Sequence, residues 1–444
     1  MNAVNIVNLV LISCSVLFAG ISLSLLAPFY PSEALSKGVS VTESGLVLGS
    51  LFITTIIVTP IFGKYIEIIG CRKFLIVGSF LIGLGNFLFG FIGQVEDKTI
   101  FFILSIVIRV ITAIGESAVA PASIPLVSKQ VSKENQGKAI AVSEACFGIG
   151  TMFGPTLGGA LYDLYGFPMP FWVSGSIMLM VTLVSMFYLK DVESVVDDAR
   201  VQRKVSWMEL VRTPGVLISA FSLTFAGTGW SWYSASLEPF LYAEYGLTSA
   251  QTGLVFMAFG LSYTVFTPVF GVFNDRGLDG LLTILIGNTL ISLGFTFLGP
   301  VPAFNFLGGN LWLTVLSIVV QGVGSAATFL ATLLYMIRST MDAGLPQSEQ
   351  VKSMVSSIWV LADCAGGVLG SAVGSIAFDM LGFQRGSVVI TLTMVGTVVG
   401  IAVYFFHQRS TVRPTQSSES TNNVEEEQRQ LLIENKEEQK YGAC

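Results

Sequence analysis

Charged side chains are scarce in this chain. Only 12% of its 444 residues are charged, whereas 52% are hydrophobic and the mean hydropathy is +0.72. A soluble globular chain carries about 25% charged residues. A chain of this composition therefore has too little charged surface to stay dissolved as a water-soluble domain. Its net charge of −6 gives no indication that it binds nucleic acid.

Histidine, suitably placed cysteines and nucleotide-binding signatures are also lacking. The single histidine, His407, excludes histidine metal clusters and histidine proton relays. None of the five cysteines is placed for a disulfide on the lumenal side. No G-x-x-x-x-G-K-[ST] motif, the signature of a nucleotide-binding loop, occurs, so we do not expect ATP to power the protein directly. With no hydrolytic triad apparent either, we expect neither an enzyme nor a bound metal or other cofactor.

Long apolar runs, in contrast, are abundant. A run of about twenty apolar residues can cross a bilayer as a helix. The chain has twelve such runs, at residues 6–30, 45–67, 73–94, 100–127, 139–163, 168–189, 214–240, 249–274, 280–300, 309–337, 351–379 and 385–407. The first run has no signal-peptide cleavage pattern and is expected to be a retained helix. The sequence thus predicts an all-α protein that spans a lipid bilayer.

Lys and Arg residues are distributed unequally between the two sides of this arrangement. With the N-terminus in the cytosol, 19 of the 23 fall on the cytosolic side, three on the other side, and Arg109 inside a span. Basic residues favour the cytosolic side, so both termini are expected there. The charged segment 190–213 would then be a cytosolic loop. The polar segment 408–444 would be a disordered cytosolic tail.

Two stretches of the first six runs recur in the second six. Residues 45–67 match residues 253–275 at an offset of 208, and residues 150–167 match residues 366–383 at an offset of 216. Six helices separate the copies, so the halves 1–189 and 214–407 are parallel repeats. Transporters built from parallel repeats bind substrate between their halves, near the middle of the membrane.

At these repeats the chain resembles the major facilitator superfamily. The loop between helices two and three is similar to the family's G-x-x-x-D-R-x-G-R-R motif, and helix five contains the antiporter motif G-x-x-x-G-P-x-x-G-G. The residues concerned are Gly63, Glu67, Gly70, Arg72 and Lys73, their second-half copies Gly271, Asp275 and Arg276, and Gly150, Gly154, Pro155, Gly158 and Gly159. The resemblance implies the major facilitator fold of twelve helices in two parallel six-helix repeats. It assigns these residues a conformational role.

Within that superfamily the chain is similar to the vesicular amine transporters, and among them to those that carry polyamines. The similarity includes residues 153–167, residues 310–320, Glu144 in helix five and an acidic dileucine tail. It implies a proton-coupled antiporter that moves polyamines or related organic cations. It also implies a monomer, the usual state in this family. The membrane would be that of a secretory or synaptic vesicle or an endolysosome.

The dileucine tail is a separate indication of where the protein works. Glu427 lies four residues before Leu431 and Leu432. This spacing resembles the sorting signal read by clathrin adaptors, so the resemblance implies such an adaptor as a partner. The alternative is an amphipathic fragment without that role.

Ionisable side chains inside the spans are the main candidates for chemistry. They are Arg109, Glu116, Glu144, Glu238 and Asp363. Each charge at mid-bilayer costs about 2.5–3.5 kcal/mol on insertion scales. Five such residues therefore indicate a structural or functional role. Four acids against one base suit a cationic substrate, and carboxyl groups away from water also take up protons.

Each of these ionisable residues also has a plainer interpretation. We expect Arg109 to pair with Glu144, and the pair could serve only to fix helix packing. Glu238 could lie solvated and inert at the lumenal boundary, and Asp363 could bond only to a backbone group or a serine. As working groups, the acids would bind substrate or protons.

Uncharged side chains near the acids complete the candidate site. Trp230 and Tyr233 precede Glu238, and aromatic faces attract ammonium groups. Packing alone is the alternative for both. Gln321 in helix ten is a candidate neutral contact.

Two further predictions concern the repeat. The glycines of the fifth span, 139–163, are expected to let that helix slide against the eighth span, 249–274. Asp163 and Asp379 end corresponding segments of the two halves. We expect them to cap helix ends or to bind neighbours at the lumenal rim.

Three other functions stay open on the sequence. The first is export of organic cations at the cell surface, with the same chemistry. The second is uniport or symport of neutral solutes such as sugars, which is disfavoured because no P-E-S-P-R-type signature follows helix six. The third is a receptor or scaffold that does not transport, which the four acids inside the membrane disfavour.

Overall fold

The structure, a computed structural model, describes residues 3–132, 136–189, 205–298, 310–346 and 349–441. In these ranges the chain forms helices and no strand. They are α1 (Ala3–Ser24), α2 (Tyr30–Ser36), α3 (Val41–Ile69), α4 (Cys71–Ile92), α5 (Lys98–Lys129), α6 (Gln136–Tyr165), α7 (Pro168–Tyr188), α8 (Trp207–Val211), α9 (Pro214–Tyr245), α10 (Ser249–Asp275), α11 (Gly280–Leu298), α12 (Leu311–Asp342), α13 (Glu349–Val368), a π-helical segment (Leu369–Val373) and α14 (Gly374–Tyr441). Of the expected central loop 190–213, residues 190–204 lie outside the described residues.

The described helices account for the twelve expected spans. Among the residues that the structure describes, nine apolar stretches are long and apolar enough to cross a membrane. The last of them, Val351–Ser410, contains two helices that meet at Gly382. Gly382 has φ 75° and ψ 172°, a conformation that breaks a helix and favours glycine. Helices α6 and α9 are also long, at 30 and 32 residues, but carry acids and many glycines and serines that lower their hydropathy.

Two short helices were not expected from the sequence. Helix α1 ends at Ser24, before the predicted end of its span, and α2 begins at Tyr30. Pro28 and Pro31 lie in this region, and proline lacks the amide hydrogen that would continue a helix. Helix α8 lies in the segment that connects the halves, where Ser206 caps it by accepting a bond from the amide of Met208.

The C-terminal segment differs from its prediction. We expected residues 408–444 to be disordered, but α14 continues as a helix to Tyr441. Glu, Gln, Leu and Lys dominate residues 424–440, and all four are good helix formers. The chain divides into two units, Met1–Thr397 and Val398–Cys444, and every contact described below lies within the first.

Corresponding helices of the two halves pack in corresponding ways. In the first half α6 packs along α1, and in the second half α13 packs along α9. Gly150 of α6 lies against the backbone of α1 at Leu17, and Gly366 of α13 lies against the backbone of α9 at Thr224. Small residues permit such close approach between membrane helices. The duplicated glycine pattern thus builds the same helix pair twice.

In the described part of the chain, the two halves meet along two main interfaces. One joins α6 to α10, and the other joins α3 to α13 and the π-helical segment. Gly253 of α10 lies against Pro155 of α6, and Gly45 of α3 lies against Ser371 and Ser375. A glycine at the same position of the repeat therefore lets the helices approach closely at each interface.

The role predicted for the helix-five glycines needs correction. Gly150, Gly154 and Gly158 are spaced four residues apart and face α1 and the residues just after it, in their own half. They do not face α10, which is the eighth predicted span. Gly159 lies on another face and contacts Ser249 at the start of α10. Only this last glycine of the motif lies at the interface between the halves.

The close packing at Gly150 predicts a specific loss of stability. In Gly150→Ala, the new methyl group would collide with the carbonyl oxygen of Leu17. Overpacking of this kind costs about 1–3 kcal/mol. A methyl group added at Gly148 of the same helix would meet no neighbouring atom within 4 Å, so Gly148→Ala should change stability by less than about 1 kcal/mol. Thermal denaturation of both purified variants in detergent measures the difference, and equal midpoints would contradict this packing.

Candidate functional site

Arg109 and Glu116 lie inside the first half. Arg109 on α5 is 2% exposed, and its Nε and Nη1 atoms have no hydrogen-bond partner. Its electrostatic contacts are with Glu116, two turns along the same helix, and with Tyr30 of α2. Glu116 lies beside Ser22 of α1, whose hydroxyl donates to Asn86 Oδ1 of α4 at 3.3 Å. This polar network connects helices of a single half.

The partner expected for Arg109 is therefore wrong. Glu116 takes the place that we predicted for Glu144, whose side chain is exposed and makes no such contact with Arg109. The direction of a side chain around its helix axis decides this. Arg109 interacts with Tyr30 of α2 and with Glu116 of its own helix.

Glu144 and Asp363 approach a shared tyrosine from opposite halves. Tyr263 of α10 interacts electrostatically with both Asp363 of α13 and Glu144 of α6. Glu144 is exposed, while Asp363 and Tyr263 are half-buried. Gly227 of α9 leaves room for Asp363, because a Cβ atom there would lie 2.8 Å from its Oδ1. We call Glu144, Tyr263 and Asp363 the central acidic site.

A series of aromatic rings adjoins the central acidic site. Tyr263 lies 6.2 Å from Phe329 and 6.5 Å from Phe259, measured between ring centroids. Phe329 in turn lies 5.8 Å from Trp359, and Phe259 lies 4.5 Å from Trp230. The series runs across α9, α10, α12 and α13, and Tyr263 connects it to the two carboxylates.

The other uncharged candidates lie deeper in the second half. Tyr233 is 1% exposed and packs on Phe256, with its hydroxyl unpartnered. Gln321 is 3% exposed and packs against Gly294 of α11. Of the three, Trp230 alone is half-buried. The ring of Tyr233 lies 5.3 Å from that of Trp230 and 5.8 Å from that of Phe259, so it extends the aromatic series into the core. The structure thus favours packing for Tyr233 and Gln321.

Glu238 lies neither in the central acidic site nor in solvent. Its side chain is 3% exposed, which contradicts the alternative that it is solvated at the membrane boundary. The amide of Ser32, at the start of α2, donates to Glu238 Oε2 at 3.0 Å. Glu238 therefore connects the second half to the first, near the end of the bundle where α9 finishes.

The motif between helices two and three is only partly described. Gly70 has φ 96°, a left-handed conformation that favours glycine, and forms the junction of α3 and α4. Arg72 Nη2 donates to the carbonyl oxygen of Met186 at 3.0 Å. Lys73 and Arg276 are exposed. The side chains of Glu67 and Asp275, like those of the tail residues Glu427, Leu431 and Leu432, lie outside the described residues, so their roles stay predictions.

Sequence reasoning missed Tyr263. The signal was present in the repeat, because Tyr263 corresponds to Thr55 at the offset of 208. An aromatic residue in one copy and a small polar residue in the other marks a place where the halves differ. In the described part of the chain, no group of three or more His, Cys, Asp or Glu residues could hold a metal ion.

Comparison with known proteins identifies the family. The family model for the Major Facilitator Superfamily matches residues 12–228 and again residues 219–436. The chain belongs to this superfamily. It is therefore a multi-pass membrane transporter and not an enzyme, and the two matches correspond to its two halves.

Individual relatives support this assignment. The chain is 28% identical to the mouse "MFS-type transporter SLC18B1" over 410 residues, which cover 92% of this chain and 88% of the relative. It is 24% identical to the bovine "Synaptic vesicular amine transporter" over 362 residues, which cover 80% and 64%. The crystal structure of a bacterial homologue of the human lysosomal transporter Spinster, inward-facing and occupied, has the same fold, with a TM-score of 0.71 at 15% identity over 92% of this chain and 98% of that one.

The contrast between Glu144 and Glu116 predicts a difference in access to water. In a background without native cysteines, we expect Glu144→Cys to react with a water-soluble thiol reagent about tenfold faster than Glu116→Cys, because reaction needs a solvent-reached thiolate. Mass spectrometry over a time course measures both rates. Equal rates would contradict the difference in exposure between the two positions.

Proposed function

We propose that this transporter is a proton-coupled antiporter that moves polyamines or related organic cations across a vesicular membrane by alternating access. The central acidic site carries the proposal. One carboxylate from each half approaches the same tyrosine, with aromatic rings beside it. The names of the relatives support a transporter of this branch and, for the bovine protein, an amine in a synaptic vesicle.

Carboxylates on opposite halves can couple two cation flows. A carboxylate binds either a proton or an ammonium group, so the two ligands compete for it. When a proton arrives from an acidic compartment, the organic cation is released there. When the site then faces the cytosol, the proton leaves and a new cation binds. Because Glu144 and Asp363 belong to different halves, a conformational change that moves the halves alters the site directly.

The aromatic rings favour an organic cation over a metal ion. A ring face attracts an ammonium group by about 0.5–2 kcal/mol, and more when water is excluded. Tyr263 interacts electrostatically with Asp363, and its ring centroid lies 6.2 Å from that of Phe329. Alkyl segments between ammonium groups would pack on these rings, as a linear polyamine requires.

The location and partners follow from the same proposal. We place both termini in the cytosol on the distribution of Lys and Arg, and the end of the bundle that holds α2 and Glu238 in the lumen. The dileucine Leu431–Leu432 would bind a clathrin adaptor, and the transporter would act as a monomer. An exporter in the plasma membrane would use the same site. Imaging of the tagged protein in its own cells distinguishes the vesicular membrane from the plasma membrane.

Reconstituted transport tests the proposal. Purified protein in liposomes that are acidic inside should take up labelled spermidine, and a proton ionophore should abolish uptake. We expect Glu144→Gln and Asp363→Asn each to lower the rate about tenfold or more, since each removes a charged partner of the cation. Glu96→Gln alters an exposed carboxylate in the loop before α5 and should leave the rate unchanged. Absence of uptake for spermidine and competing amines by folded protein would overturn the proposal.

The ring of Tyr263 generates a separate prediction. Tyr263→Leu should raise the KM for spermidine about 2- to 30-fold through loss of the cation–π contact. Tyr263→Phe keeps the ring and should stay within about threefold of the parent. Tyr242→Leu, at an exposed tyrosine on α9, is the control. Equal KM values for the leucine variants at positions 263 and 242 would exclude a contact between this ring and substrate.

A further inference from the structure

The helices α3 and α10 start at equivalent positions of the two halves, and both start with the same local cap. Ser40 and Glu43 form a reciprocal pair of side-chain bonds at the start of α3, a capping box. Thr248 and Gln251 form the same pair at the start of α10. These residues correspond at the offset of 208. We call the end of the bundle where α3 and α10 begin the capped end.

A capping box leaves some backbone donors without a partner. The first four amides of a helix have no acceptor within it. The capping box supplies acceptors to the amide of the cap residue and to the third amide of the helix. The first and second helical amides still need acceptors. In α10 these are the amides of Ser249 and Ala250, and in α3 the second is that of Thr42.

Aspartates from the opposite half accept these remaining bonds. Asp163, near the end of α6, accepts from the amide of Ser249 at 3.2 Å and from that of Ala250 at 2.8 Å. Asp379, in the first turns of α14, accepts from the amide of Thr42 at 2.8 Å. Asp163 and Asp379 correspond to each other at the offset of 216. Each half therefore completes the helix cap of the other.

A carboxylate at a helix N-terminus interacts favourably with the helix dipole as well as with the amides. These bonds lie at exposed positions, where water competes for the same donors. Such a contact is strong enough to bias an equilibrium and weak enough to break during a transport cycle. The helix caps that the sequence predicts for Asp163 and Asp379 thus lie in the opposite half from each aspartate.

We propose that Asp163 and Asp379 hold the capped end closed, and that both contacts break when the two halves separate there. The pair acts as one conformational device because each carboxylate joins a different interface, α6 with α10 and α3 with α14. The local capping boxes stay intact when the halves separate, so α3 and α10 remain folded at their starts. Only the contacts between halves are exchanged for water.

Distances between spin labels test the device in the full-length protein. Gln94→Cys and Glu244→Cys place labels at exposed positions in different halves near the capped end, in a background without native cysteines. Double electron–electron resonance in lipid nanodiscs then reports the separated and closed populations. We expect Asp163→Ala and Asp379→Ala each to raise the ratio of the separated to the closed population about fivefold, the effect of losing a helix cap. The double variant should raise it further than either.

Asp97→Ala is the matched control. Asp97 Oδ1 accepts from the amide of Ile100 at 2.9 Å and so caps α5 within the first half alone. It should lower thermal stability without changing the distance distribution. If an alanine variant fails to fold, the corresponding Asp→Asn variant, which removes the charge and keeps the size, supplies the comparison.

Two results would overturn the proposal. One is an unchanged distance distribution in a folded double variant. The other is a shift in Asp97→Ala as large as that in Asp163→Ala or Asp379→Ala. The distances are measured without substrate, so neither result depends on the proposed antiport of organic cations.

Discussion

A polar group in the hydrocarbon of a bilayer has no water to bond to, so it must find its partner within the protein. This constraint explains why the described spans are helices and why hydroxyl groups inside them turn to nearby carbonyls. Thr112 and Thr182, for example, each donate to the carbonyl four residues earlier, at 2.9 and 2.8 Å. The carboxylates Glu144 and Asp363 meet the constraint in another way, by lying where two halves meet and the surface is not fully covered.

The duplicated sequence separates the scaffold from the site. Positions that match between the repeats, such as Gly150 with Gly366, build the same helix pair in each half. The residues of the central acidic site do not match. At the offsets of the repeat, Glu144 corresponds to Val360, Asp363 to Phe147 and Tyr263 to Thr55. Symmetry therefore supports the conformational change, while the departures from symmetry place acids and an aromatic ring between the halves.

The fold was predictable to the extent that it depends on local composition and on the repeat. Apolar runs gave the number of spans, and the two offsets gave the parallel halves. Contacts that depend on rotation about a helix axis were not predictable in the same way. Arg109 faces Tyr30 and Glu116 instead of Glu144, and Tyr233 points into the core while Trp230 does not. One residue of spacing changes the direction of a side chain by about 100° in a helix, and only the packed helices decide which direction meets a partner.

The charge of the central acidic site constrains the proposed antiport. Two carboxylates that face a common space repel each other, and any bound cation relieves that repulsion. A dication neutralises both groups, so its exchange requires two protons to restore the same charge. A monocation neutralises one carboxylate and leaves the other for a proton throughout the cycle. The site would thus couple each substrate to as many protons as the substrate has charges at Glu144 and Asp363. The concentration ratio that the transporter can build would then rise with the charge of the cation bound between the halves.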